Sequence, residues 1–150
     1  MTSIVKVALV ALLICTVAGT SLAASHKPAD AQAFVKKAAV YLRENGREKA
    51  VAEYNNPQGK FVQGELYIIA YDFNGVLLAN PHNLKMVGHN RLELKDADGK
   101  QFVKEFIKAG KKGSGWVSYK WNNPVSNKIE RKRTYLEAVQ GIILGCGIYQ

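Results

Sequence analysis

The apolar residues of this chain change period partway along, and that change limits what it can fold into. Over residues 30–44, Ala31, Phe34, Val35, Ala38 and Leu42 recur at three- and four-residue steps with lysines between them. That spacing predicts an amphipathic helix, and Asn45-Gly46 is its stop signal. Residues 47–54 predict a second, short helix with Ala50, Val51 and Tyr54 on one side, ended by Asn55-Asn56-Pro57. From Glu65 the period is two. Tyr67, Ile69 and Tyr71 share one face of a predicted strand, and Leu66, Ile68 and Ala70 share the other. Asp72-Phe73-Asn74-Gly75 predicts a turn, because Asn-Gly readily takes positive φ. Residues 76–78 return as the partner strand.

Residues 80–98 have no clear period and carry Pro81, His82, Gly88 and His89. Long irregular segments in compact domains are often binding loops. A helix is predicted over 100–108 with Phe102, Val103, Phe106 and Ile107 inward, broken by the glycine-rich stretch 110–115. The last third reads as a meander of strands at 115–121, 128–138 and 142–149. In the first of these, Trp116, Ser118 and Lys120 share one face, and Val117, Tyr119 and Trp121 the other. Gln140-Gly141 turns the chain between the last two strands. Helices come first and antiparallel strands follow, which is the order of an α+β domain with one sheet. The helices occupy 24–58 and the sheet domain 59–150.

The N-terminus belongs to neither. Lys6 precedes an apolar run over 7–18 that is interrupted only by Thr16, and Ser21 and Ala23 stand at the minus-three and minus-one places of a cleavage site. This is the pattern of a secretory signal peptide, 1–23. The run is shorter than the roughly 20 residues a membrane span needs. The expected location is therefore periplasmic or secreted. Cleavage removes Cys15 and leaves Cys146 as the only thiol, flanked by glycines in an apolar strand, where a small buried role is expected.

The net charge of +9, from 21 Lys and Arg against 12 Asp and Glu, invites a nucleic-acid reading. Export and the scatter of the basic residues argue against it. The densest cluster, Lys128, Arg131, Lys132 and Arg133, falls in a predicted strand. A spread positive excess steers small anions toward the surface.

Catalytic signatures are missing: there is no Gly-x-Ser-x-Gly, no P-loop, no CxxCH and no paired His at helical spacing. His26, His82 and His89 make no metal set, and Asp96, Asp98 and Gly99 lack the downstream Glu of a calcium loop. Neither an enzyme nor a bound cofactor or metal is expected. What remains is a group of polar aromatics and a cation on predicted strands: Tyr67, Tyr71, Trp116, Tyr119, Trp121, Lys132 and Tyr135. They suit a mostly apolar pocket with a few oriented polar groups, with ordinary core packing as the competing reading. Lys132 is either a solvated edge residue or the fixed cation for a ligand carboxylate.

The ordered set of segments from Asn56-Pro57-Gln58-Gly59 onward resembles a known family. The set runs through Gly64-Glu65-Leu66-Tyr67-Ile68-Ile69-Ala70-Tyr71-Asp72, Asn74-Gly75-Val76-Leu77-Leu78-Ala79-Asn80-Pro81, Leu94-Lys95-Asp96-Ala97-Asp98-Gly99-Lys100 and Gly113-Ser114-Gly115-Trp116 to Lys132, Tyr135 and Gly145-Cys146-Gly147-Ile148-Tyr149. It resembles the single Cache domain, type 2, of bacterial chemoreceptors and sensor kinases. The resemblance implies a PAS-like antiparallel sheet of five to six strands preceded by a long N-terminal helix. It implies a pocket for a small organic acid such as acetate, propionate, pyruvate or lactate. Carried over, Tyr71, Trp116, Tyr119 and Lys132 lead as ligand-binding residues, with Tyr67, Asn80, His82 and Tyr135 behind them. Where the family often has His-Pro, this chain has Asn80-Pro81, with His82 one place later. A stand-alone sensor with a membrane partner is expected. The alternative is an interaction subunit that docks a membrane receptor or forms a homodimer through its N-terminal helix, with no functional ligand.

Overall fold

The computed structural model describes residues 26–150, so the signal peptide expected at 1–23 lies outside the described residues. Helix α1 spans Pro28–Asn45. Pro28 suits a first helical position, where its missing N–H is no loss. Asp30 Oδ2 accepts the Lys27 N–H at 2.7 Å and places a negative charge at the positive end of the helix. Ala31, Phe34, Val35, Ala38, Ala39 and Leu42 form its buried stripe, the expected set plus Ala39. Gly46 ends α1 at φ 78° and ψ 164°, a region open essentially to glycine alone. Helix α2, Arg47–Tyr54, folds back from there, and the Tyr54 hydroxyl donates to Ala38 O at 2.7 Å, joining the two helices.

Six strands follow: β1 (Val62–Gln63), β2 (Leu66–Tyr71), β3 (Leu77–Ala79), β4 (Ser114–Asn122), β5 (Ile129–Val139) and β6 (Ile142–Tyr149). They form one antiparallel sheet in the order β1-β2-β6-β5-β4, with β3 also paired to β2. The last strand is thus central. The β5–β6 hairpin turns at Gln140 and Gly141, both at positive φ (47° and 79°), as a tight two-residue turn requires.

Both sheet faces are covered. Leu66, Ile68, Ala70, Tyr135, Val139, Ile142, Leu144, Cys146 and Ile148 pack with α1 and α2. Tyr67, Ile69, Tyr71, Val117, Tyr119, Leu136 and Ile143 pack with helix α3, Phe102–Lys111, through Phe102, Val103, Phe106 and Ile107. Sandwiched between helix layers, β2 and β6 are buried along their whole length, which is why they read as unbroken apolar runs.

Three local expectations change. The two-residue β1 has too little pattern to be visible in sequence. Val76 lies just outside β3 and makes an isolated bridge to Asn90. Gly110, expected to break α3, lies inside it, at a point where a Cβ would come within 2.5 Å of Ile143. The glycine permits close helix–sheet approach. The irregular segment after β3 is stitched down by backbone bonds from Gly88 N to Leu77 O (2.8 Å) and Arg91 N to Gly75 O (2.8 Å). Its first residue is held from below: the Asn80 N–H donates to Asn55 Oδ1 at 3.0 Å, while Asn55 Nδ2 donates to Leu78 O at 2.9 Å.

Candidate ligand-binding site

The strand register lines up three side chains across the α3 face of the sheet. Tyr119 of β4 stands opposite Lys132 of β5, and Lys132 stands opposite Tyr149 of β6. Next along β6 is Gly147, opposite Thr134. A Cβ at Gly147 would collide with Lys132 Cε, so the lysine stem lies where a β6 side chain would otherwise be. This lets Nζ reach across β6. It donates to the Tyr67 hydroxyl at 2.7 Å and to the Tyr149 hydroxyl at 3.1 Å. It also sits 3.9 Å from the Tyr67 ring centre and 4.5 Å from that of Tyr149, within cation–π range.

Lys132 is 2% exposed. Among the described residues it has no ion pair. A buried ammonium without a counter-charge is costly. Burial accordingly lowers its pKa to about 7, against weaker opposing pulls from Cys146 and Glu65. Burial also holds the Tyr67 and Tyr119 hydroxyls well above the usual phenol range, and raises Tyr149 likewise. All three therefore remain neutral hydroxyls at physiological pH. The Cys146 thiol, on the α1 face, is pushed up to about 12 by burial and is a poor nucleophile.

Above Tyr67 lies a cavity of about 310 Å³ lined by Tyr67, Asn80, His82, Asn83, Trp121, Asn122, Pro124 and Asn127. Its walls come from the segment after β3 on one side and from the β4–β5 hairpin on the other. The hairpin is braced by Asn123, whose Nδ2 donates to Glu65 Oε1 (2.7 Å) and Glu130 Oε2 (2.8 Å). The Tyr149 hydroxyl donates to Asn122 O at 2.8 Å, tying the hairpin to the Lys132 group. His82 packs edge-on to Tyr67 at 4.6 Å, and burial, then Lys132, lowers its pKa. The result is a polar cavity over an amine that bonds two protein hydroxyls and, when protonated, has a third N–H to offer. It can hold a small anion with hydrogen-bonding groups. No group of His, Cys, Asp and Glu suited to a metal ion occurs among the described residues.

The eight residues singled out in sequence divide three ways. Tyr67, Asn80 and His82 line the cavity, and Lys132 lies one hydroxyl behind its wall. Tyr119 and Tyr71 share that sheet face but are committed elsewhere. The Tyr119 ring stacks on Phe102 at 4.3 Å and its hydroxyl is 3.1 Å from Thr134 Oγ1, while Tyr71 packs on Phe106 at 5.8 Å. Trp116 and Tyr135 occupy the opposite face, 5.4 Å from each other, with the Arg133 guanidinium 4.5 Å over the Trp116 ring. Strand alternation carries them away from the cavity. Tyr149, Asn83, Asn122, Pro124 and Asn127 were not among the eight.

Comparison with known proteins finds relatives of this fold. The sequence profile of the family described as "Single Cache domain 2" matches residues 29–150. A methyl-accepting chemotaxis protein from Vibrio parahaemolyticus has a crystal structure similar over 81% of this chain and 86% of that one, at 26% identity and a TM-score of 0.70. A structure described as the basis for carboxylic acid recognition by a Cache chemosensory domain matches over 81% and 91%, at 27% identity and a TM-score of 0.69. Among curated proteins, the sensor histidine kinase MctS of Rhizobium johnstonii is 32% identical over 85 residues, which is 55% of this chain and 18% of that protein. The chain thus spans under a fifth of the length of that relative.

Proposed function

The chain belongs to the single Cache domain 2 family, and from that premise we propose that it is an extracytoplasmic sensor module for a small carboxylate, in the C2–C4 range of acetate, propionate, pyruvate and lactate. One observation carries the reading: Lys132 is a buried amine with no acidic partner, held by the Tyr67 and Tyr149 hydroxyls under a polar cavity. A carboxylate is the natural counter-charge for such a group, since charge-assisted bonds are about twice as strong as neutral ones. The recognition of carboxylic acid by one structural relative supports the choice of ligand. The site residues proposed are Lys132, Tyr67 and Tyr149 for the carboxylate, with Asn80 and His82 on the cavity wall. Tyr119 stands opposite Lys132 on β4 and is not assigned a ligand contact.

Export by the leader at 1–23 would place the domain outside the cytoplasm. A membrane sensor is the proposed recipient of the signal. A thermal-shift screen against the four acids tests the reading. A ligand at 100 times its Kd adds about 2.7 kcal/mol, which is several degrees for a domain of this size. A flat panel with a well-folded protein would overturn it and favour the interaction-subunit alternative.

A further inference from the structure

We propose that the site takes up its carboxylate together with one proton, which comes to rest on Lys132 Nζ. The proposal rests on the carboxylate reading above and states what that binding event must carry with it.

The geometry supplies the reason. The groups that hydrogen-bond the Lys132 amine are neutral hydroxyls. From β2 comes the Tyr67 hydroxyl at 2.7 Å, and from β6 the Tyr149 hydroxyl at 3.1 Å. Tyr71 and Tyr119 share the same sheet face. Cys146 is on β6 but in the core of the other face, and burial keeps its thiol protonated. Glu65 and Glu130 both accept from Asn123 Nδ2, at 2.7 and 2.8 Å, and neither pairs with the amine. His82, on the segment after β3, is pushed toward its neutral form by burial and by Lys132. A protonated amine here would be a buried charge without a counter-charge, and groups in that position shed the proton. The lowering of the Lys132 pKa to about 7 agrees with this.

A bound carboxylate reverses the balance. The unliganded amine is largely neutral above neutral pH. An arriving RCOO⁻ supplies the missing charge, so the amine binds H⁺ from solvent and the bound state is RCOO⁻ in the cavity with R′NH₃⁺ behind the Tyr67 hydroxyl. No covalent bond forms, and the site gains a net neutral unit, carboxylate anion plus proton. Affinity for the anion should then be flat below about pH 6 and fall about tenfold per unit above pH 7, until the liganded amine itself titrates. The domain would respond to carboxylate weighted by proton activity.

Isothermal titration of the intact protein with acetate, propionate, pyruvate and lactate, in HEPES and in Tris at pH 8 and in MES and in bis-Tris at pH 6, tests this without any variant of Lys132. The difference in heat between the buffers gives the protons taken up per ligand. With the amine at about 7, uptake should be about 0.9 at pH 8 and about 0.1 at pH 6. Binding whose heat is independent of buffer at pH 8 would overturn the proposal and leave the carboxylate reading standing. No heat from any of the four acids at either pH would overturn that reading and the proposal with it. In His82→Gln the affinity can fall, since His82 lines the cavity, but the proton uptake per bound ligand at pH 8 should be unchanged. Ligand that still binds without uptake in that variant would assign the proton to His82 and refute the assignment to Lys132.

Discussion

Gly147 lies so close under the Lys132 side chain that a Cβ on it would overlap Lys132 Cε. The small residue on β6 and the long one on β5 are therefore one structural unit. Gly147→Ala should cost about 1–3 kcal/mol through overpacking and swing the amine away from Tyr67 and Tyr149. Urea unfolding should show the first effect, and loss of the carboxylate thermal shift the second. Unchanged ligand response in a destabilised variant would mean that the lysine position does not matter for binding.

The buried amine also leaves a mark on stability. Its folded pKa is about 7, below the ordinary 10.5, so between those values the unfolded chain holds more protons than the folded one. Unfolding free energy must then rise with pH in that window. From about pH 7 to 9 the rise is about 2 kcal/mol. Above that, the Cys146 thiol acts in the opposite sense, because its folded pKa of about 12 lies above its ordinary value. Lys132→Met should abolish the slope and raise stability at neutral pH while removing carboxylate binding. Parallel stability–pH curves for the two proteins would contradict the account.

Tyr149 joins Lys132 to the cavity wall, accepting from Nζ at 3.1 Å and donating to Asn122 O at 2.8 Å. Tyr149→Phe removes one of the amine's two acceptors and strands a backbone carbonyl, at a cost of about 1–3 kcal/mol. Amide hydrogen exchange should quicken over 123–128, the hairpin that this bond ties down, and carboxylate affinity should fall. Unaltered exchange there would show that the Asn123 bonds alone hold the hairpin.

Trp116 and Tyr119 cannot both face one cavity, since they lie three apart on one strand and side chains alternate. Alternation is a property of the sequence itself, and it is enough to put Tyr119 and Trp116 on opposite faces. Tyr149 is also within reach of such counting. A two-residue turn at Gln140-Gly141 fixes the register, and counting outward from it sets Tyr149 opposite Lys132. The helices and long strands are legible because each buries one face, or both, at a regular period. Asn83, Asn122 and Asn127 are not legible, because loop residues have no period and meet only when the sheet brings two loops together. The face assignment has a direct check: Trp116→Phe should leave carboxylate affinity within about twofold while costing about 1 kcal/mol of packing. A loss of binding comparable to that of Lys132→Met would place the ligand on the α1 face.

Strand β4 ends the sheet, and its outer edge is a template for pairing with another chain unless something covers it. The segment before α3 does so. Asp96 Oδ2 accepts the Lys120 N–H at 2.9 Å, and Lys100 Nζ donates to Ser118 O at 2.6 Å. Asp96 Oδ1 meanwhile takes the N–H groups of Asp98 and Lys100, both at 2.9 Å, closing the turn that presents it. Burial would raise the Asp96 carboxyl, but the bonds from Lys120, Lys100 and Asp98 outweigh it and hold the pKa below 3.8. Its contribution is therefore present above that value and lost as the pH falls below it. Asp96→Ala removes all three acceptor bonds at once, leaves the Lys120 N–H on the β4 edge unpaired, and should cost about 1–3 kcal/mol. Sedimentation velocity on the variant should show self-association that grows with protein concentration and is absent from the parent protein. A variant that is destabilised yet strictly monomeric would show that the turn stabilises the fold without guarding the edge.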